Sequence, residues 1–168
     1  SGVLEGEESV QIWMGANHMT AAFGSDLYFT RIIDERFPDF ESVIPKDNDK
    51  ELTVDKSLLL SAVRRVSIFS NRSTHQIAIR LTKERIQITT EDPEKSSKAQ
   101  EEIKGEFNGD DLVIGYNASY LKDILSHVEG DQVVIKLKTP ISAALFYPAT
   151  QKEKSNLTML LMPIRLND

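Results

Sequence analysis

Cysteine is absent from the 168 residues, which excludes disulfide scaffolds, thiolate nucleophiles and every thiolate-ligated metal site. No apolar run reaches the roughly 18–20 residues that span a bilayer. The opening Ser1-Gly2-Val3-Leu4-Glu5 carries neither the basic nor the apolar region of a signal peptide, so a cytoplasmic protein with no membrane partner is expected. Histidine is scarce: His18, His75 and His127 are not read as metal ligands, and His127 reads as a surface residue. No G-x-G-x-x-G, G-x-x-x-x-G-K-[ST] or G-x-S-x-G occurs. The carboxylates of Asp26, Asp34 and Glu35 lack a partner at a spacing suited to acid–base work. An enzyme is disfavoured, and neither a cofactor nor a metal is expected.

What is present is the composition of a globular chain: 40% hydrophobic and 27% charged residues with a mean hydropathy of -0.31. The formal net charge of -6 taken alone opposes binding to nucleic acid. Its distribution is uneven, however. Lys56, Arg64, Arg65 and Arg72 share a stretch without an acidic residue, whereas Glu91 to Asp111 holds eight acidic residues against three lysines. Two readings stay open: an ordinary solvated surface, or a basic face on an acidic body.

Strand signals dominate the first third. Val10–Met14, His18–Phe23 and Leu27–Ile33 read as a meander joined by Gly15-Ala16-Asn17 and Gly24-Ser25-Asp26. Asp34–Lys50, with Pro38 and Pro45, reads as a linker, because proline removes a donor and biases its predecessor away from helix. A pattern then appears twice. Glu51–Val54 is a strand, Asp55 an N-cap, and Leu59, Ala62, Val63 and Val66 form one helical stripe. Strands at Gln76–Leu81, Arg85–Thr90 and Ala99–Phe107 follow. The second copy has a strand at Leu112–Tyr116, an N-cap at Asn117 and a stripe of Leu121, Ile124, Leu125 and Val128. Strands at Gln132–Leu137, Ile141–Tyr147 and Leu157–Ile164 complete it. Two strand–helix–three-strand units with a period of roughly 60 residues make one closed α+β domain rather than an array. Two helices on one layer of antiparallel sheets would bury both stripes and bring Arg64, Arg65 and Lys122 onto one surface.

Two apolar segments exceed what folding alone asks of them. Phe37-Pro38-Asp39-Phe40 with Val43-Ile44-Pro45 lies in the linker, and Met159 to Leu166 stays apolar almost to the end of the chain. Either they pack on each other and on the sheets, or they form a groove for an apolar peptide.

These segments carry a resemblance. Arg31 to Phe40 with Val43-Ile44-Pro45, Ile114-Gly115-Tyr116-Asn117-Ala118-Ser119-Tyr120-Leu121, and Met162-Pro163-Ile164-Arg165-Leu166 resemble, in order and spacing, segments of the bacterial sliding clamp, the beta subunit of DNA polymerase III. The likeness runs from Val10 to Leu166. It implies the DNA-clamp fold, with residues 1–46 similar to the second half of a middle clamp domain plus linker and 47–168 to a complete C-terminal clamp domain. The chain would then be a C-terminal fragment of a processivity factor that encircles duplex DNA as a homodimeric ring. Partners implied by the resemblance are DNA polymerase III and other clamp-binding proteins, the clamp loader and a second clamp subunit.

By the same resemblance, Pro38, Val43, Asn117, Tyr120, Ile141, Ala143, Leu160, Leu161, Met162, Pro163, Ile164, Arg165 and Leu166 would line a peptide groove. Arg64, Arg65 and Lys122 would face DNA, and Ile68 and Phe69 would belong to the subunit interface beside the acidic stretch. Two other readings make different demands. A stand-alone interaction scaffold needs no grouped bases on the helix layer, and a small hydrolase needs carboxylate or histidine pairs in the cleft.

Overall fold

The computed structural model describes residues 9–37, 39–151 and 156–166. The chain separates into two units, Ser1–Asp39 and Phe40–Asp168, and each is taken by itself. In the first, strands β1 (Gln11–Met14), β2 (His18–Phe23) and β3 (Asp26–Arg31) form an antiparallel meander. Phe23 pairs with Asp26 across a two-residue turn, and the positive φ of 56° at Gly24 is what such a turn requires. The third strand stops at Arg31, two residues short of the expected Ile33.

In the second unit a 3-10 turn spans Phe40–Val43, and the linker ends sooner than expected because Lys50 already opens strand β4 (Lys50–Asp55). Helix α1 (Lys56–Ser67) follows at once. Asp55 caps it, accepting from the Leu58 amide at 2.8 Å and the Ser57 hydroxyl at 2.7 Å. Strands β5 (Gln76–Leu81), β6 (Arg85–Asp92) and β7 (Ser97–Lys104) form two hairpins, with a short 3-10 turn at Pro93–Lys95 between β6 and β7. The expected strand Ala99–Phe107 is broken at Gly105, and β8 (Glu106–Phe107) belongs to a different sheet. A Cβ at Gly105 would stand 2.4 Å from Ile86 Cδ1, so the crossing passes over the core too closely for a side chain.

The second copy runs β9 (Leu112–Asn117), α2 (Ala118–His127), β10 (Gln132–Leu137), β11 (Ala144–Pro148) and β12 (Met159–Leu161). β11 begins three residues later than expected. The Thr139 hydroxyl accepts from the amides of Ile141 at 3.4 Å and Ser142 at 3.1 Å, and this side-chain turn occupies residues that would otherwise extend the strand. The expected strand Leu157–Ile164 contracts to β12 and a single bridge between Ile164 and Gly115.

The strands of the two copies cross over. One sheet has the order β12-β11-β10-β4-β8 and the other β7-β6-β5-β9. The leading strand of each copy therefore joins the sheet of the other's trailing strands, β4 beside β10 and β9 beside β5, and β8 adds to β4 from its own copy. Both helical stripes are buried: Leu59, Ala62, Val63 and Val66 on α1, and Leu121, Ile124 and Leu125 on α2, with Val128 at its C-cap. They form one core with Ile77, Ile79 and Leu81 of β5, Val133, Ile135 and Leu137 of β10, and Phe146 of β11. The helices also pack on each other. No described helix is long and apolar enough to cross a membrane.

Phe146 is fully buried, with Tyr116 edge-on at 6.4 Å. Phe146→Ala is expected to lower unfolding free energy by about 3–5 kcal/mol, read by urea denaturation. Asp55 is held below its ordinary 3.8, chiefly by the Leu58 amide. The stability it contributes is complete above that unfolded value and is lost as pH falls through the lower folded one. Asp55→Asn keeps the acceptor oxygen, and the stability-versus-pH curve should flatten on its acid side.

Candidate functional site

The C-terminal segment lies against the open side of β9 because position 115 has no side chain. A Cβ at Gly115 would stand 2.6 Å from the Ile164 carbonyl oxygen and 2.8 Å from Leu166 Cδ2. With glycine there, the Ile164 amide donates to the Gly115 carbonyl at 2.9 Å. The turn after β10 brings Pro140 and an exposed Ile141 to the same place. Between them runs a cleft of about 520 Å³, lined by Val113, Gly115, Pro140, Ile141, Ile164, Arg165 and Leu166. Among the described residues its walls are apolar apart from Arg165 and carry no carboxylate or imidazole. Such a surface can hold apolar side chains of an extended peptide and has no groups for acid–base chemistry.

Four of the sequence-predicted groove residues, Ile141, Ile164, Arg165 and Leu166, therefore meet in one cleft. The other described ones do not line it. Met162 is 61% exposed and Pro163 half-buried just after it, while Leu160 pairs with Leu145 across β12 and β11, and Leu161 is buried. Ala143 is buried, and its carbonyl accepts from the Asn48 side chain at 3.1 Å. Asn48 also donates to the Lys136 carbonyl at 3.0 Å, and Lys138 pairs with Asp47, so the end of the linker is fastened to β10. Val43 is exposed in the 3-10 turn, and Pro38 lies outside the described residues.

Asn117 caps α2, accepting from the Ser119 amide at 2.9 Å and the Tyr120 amide at 3.4 Å while donating to the Thr74 carbonyl at 3.1 Å. That arrangement presents Tyr120 to solvent on the first turn. Sequence reasoning missed Val113, Gly115 and Pro140 as lining residues. A lone glycine within a strand pattern is a sign of close backbone approach, so Gly115 was there to be found.

On the helix layer the expected bases have different surroundings. Arg64 is exposed. Lys122 reaches from α2 across to α1, its ammonium 3.2 Å from the Ser67 hydroxyl. Arg65 turns toward β7, where its Nε and Nη2 donate to the two carboxylate oxygens of Glu101 at 2.5 and 2.7 Å. The pair holds the Glu101 carboxyl below its ordinary range and raises the Arg65 guanidinium, in both cases chiefly through the hydrogen bonds. Ile68 and Phe69, at the end of α1, are 76% and 46% exposed. The Phe69 carbonyl accepts from Ser97 of β7 at 3.2 Å, and β7 is an edge strand. His127 lies on the exposed side of α2, with Nδ1 2.8 Å from the Asp123 carbonyl oxygen and 3.6 Å from Asp123 Oδ1. Among the described residues no three of His, Asp and Glu are grouped as a metal would need.

Comparison with known proteins gives these features a context. A family model described as DNA polymerase III beta subunit, C-terminal domain, matches residues 41–165. The chain belongs to this family. It is 33% identical over 164 residues to the beta sliding clamp of Pseudomonas aeruginosa, covering 98% of this chain and 44% of that protein. Among solved structures it resembles the Pseudomonas aeruginosa sliding clamp bound to griselimycin, with a TM-score of 0.78 and 34% identity over 94% of this chain and 42% of that one. It also resembles the griselimycin-bound sliding clamp of Bartonella birtlesii, with a TM-score of 0.81 and 27% identity over 94% and 41%. The fold is that of the sliding clamps, and the chain spans less than half the length of the relatives it matches.

Gly115→Ala should push the C-terminal segment off β9, since the atom it meets first is backbone. The amide of Ile164 should lose its protection in hydrogen exchange while the core strands keep theirs. Asn117→Ala is expected to cost about 1 kcal/mol of stability. Asn117→Asp should recover part of that loss, because it keeps the acceptor for the α2 amides and loses only the donor to Thr74.

Proposed function

We propose that this chain is the C-terminal part of a DNA polymerase processivity factor, a sliding clamp, that docks replication and repair proteins and works without catalysis. In this reading residues 1–46 are the second half of a middle clamp domain with its linker, and 47–168 are the C-terminal domain. The observation that carries the reading is the apolar cleft built by the C-terminal segment on β9 in a chain of this family. The cleft takes apolar anchors of short peptides from DNA polymerase III, the clamp loader and other clamp-binding proteins. Ile141, Ile164, Arg165 and Leu166 form its floor. Val43, Asn117, Tyr120, Ala143, Leu160, Met162 and Pro163 form its surroundings.

Arg64, Arg65 and Lys122 face duplex DNA on the helix layer. Few phosphate contacts give weak, sequence-independent and salt-sensitive attraction, and ring closure supplies retention. Ile68, Phe69 and the β7 edge meet a second clamp subunit. A cytoplasmic location follows from that role. A hydrolase has no support in a cleft whose described lining residues include neither carboxylate nor histidine.

A polymerase-derived peptide with Gln, Leu and Phe anchors should bind the cleft. In the full-length protein Met162→Ala should weaken that peptide by about 1–4 kcal/mol in a calorimetric titration, and unchanged affinity would remove Met162 from the site. The 168-residue chain itself should not form a closed ring. Light scattering that gave a stable ring-sized dimer would contradict the subunit-interface assignment.

A further inference from the structure

The Arg65–Glu101 pair sits where two surfaces meet. Arg65 belongs to α1, whose exposed side also carries Arg64, and Glu101 belongs to the edge strand β7. The contact is a two-point fork in which Nε and Nη2 each hold one carboxylate oxygen. A phosphodiester offers the same two-oxygen geometry to a guanidinium, so a carboxylate in the fork and a DNA phosphate compete for the same donors. Side-chain exposure is 60% for Arg65 and 26% for Glu101, which leaves the guanidinium within reach of a ligand from solvent while the carboxylate is the more enclosed partner. Arg64 has no such competitor among its described contacts, and the partner described for the Lys122 ammonium is a neutral hydroxyl.

We infer that Glu101 is an intramolecular stand-in for phosphate that holds Arg65 in reserve, so that the helix layer meets duplex DNA with Arg64 and Lys122 and gains Arg65 only when Glu101 lets go. This rests on the proposal that the helix layer faces DNA. Because Glu101 lies on the strand edge, any partner strand that supplies its own cation to Glu101 would release Arg65. Pairing of the edge and phosphate binding on the helices would then favour each other, by the reciprocity that holds for any linked equilibria.

The test is duplex binding by the 168-residue chain at low ionic strength, followed by NMR of arginine Nε–H groups over a series of salt concentrations. Glu101→Gln keeps the size of the side chain and removes its charge. Glu102→Gln is the matched control, since it also removes one negative charge on β7 but from a carboxylate that pairs with Arg85 at 3.2 Å. Glu101→Gln should bind the duplex more tightly than the parent. Its log–log salt slope should steepen by about 0.9, so that its advantage over the parent shrinks about eightfold for each tenfold rise in salt. The Arg65 Nε–H should move on DNA addition in this variant and stay in place in the parent, and Glu102→Gln should keep the parent slope.

Equal effects of the two glutamine variants would overturn the inference, since long-range charge would then explain both. So would movement of the parent's Arg65 signal with full amplitude. Arg64→Ala and Lys122→Ala separate this failure from failure of the underlying reading. If both bind duplex as the parent does, the helix layer is not the DNA face and the inference falls with it. If they bind more weakly while Glu101→Gln matches Glu102→Gln, only the inference falls.

Discussion

The exchange of leading strands between the two copies is the constraint on which the rest of the second unit depends. Each sheet draws on both copies, because β4 pairs with β10 and β9 with β5, while β8 alone pairs back with the leading strand of its own copy. That pairing brings the starts of both helices under one roof, since α1 follows β4 directly and α2 follows β9 directly. Each helix is capped by the last residue of the strand before it, Asp55 or Asn117. The strand fixes where the cap stands, and the cap fixes which side of the helix turns inward. With both helices started in this way, both apolar stripes descend into the same core.

The groove depends on the same exchange at one remove. β9 is an edge strand because it was placed beyond β5, with no further neighbour among the described residues on that side apart from the single bridge to Ile164. An open edge next to a glycine admits the C-terminal backbone closely enough for one amide–carbonyl bond, and the cleft is the space left where that segment turns past Pro140 and Ile141. An alanine in place of Gly115 would leave β9 still pairing with β5 while removing the seat of the segment. Site and core are thus separable at that one position.

Much of this was legible in the residues, and the reasons for the exceptions are physical. Helical stripes and caps report themselves, because side-chain period and first-turn amides are local properties. All four stripe residues of α1 are buried as the period required. The exchange of strands was not legible, since alternation says which face a residue takes and says nothing of which strand lies beside it. The run Ala99–Phe107 reads as continuous, yet Gly105 divides it between two sheets. The glycine was the available sign. At the groove, the apolar C-terminus left open whether it packs on the sheets or forms a docking surface. The particular residues came from the family likeness, which brought the exposed Met162 and Tyr120 along with Ile164 and Leu166 without separating them from the lining.

The uneven charge of the chain resolves at the level of cross-strand pairs. On the β6–β7 hairpin Glu91 lies directly opposite Lys98, 3.9 Å between charged atoms, and Arg85 lies opposite Lys104. The second of these juxtaposes like charges, which destabilises a ladder, and Arg85 instead reaches diagonally to Glu102 at 3.2 Å. Lys95 approaches the buried Asp92 at 3.8 Å, and Glu101 takes Arg65 from the helix. The acidic stretch is therefore neither a bare solvated run nor a surface wholly reserved for a partner. Most of its carboxylates on the hairpin already have a cation from this chain. What distinguishes Glu101 is the origin of that cation: Arg85, Lys95 and Lys98 come from the hairpin itself, whereas Arg65 is borrowed from the helix layer. A charge pattern read along the sequence counts both kinds alike. Only the fold separates the pairs that hold the hairpin together from the one that ties its edge to another surface.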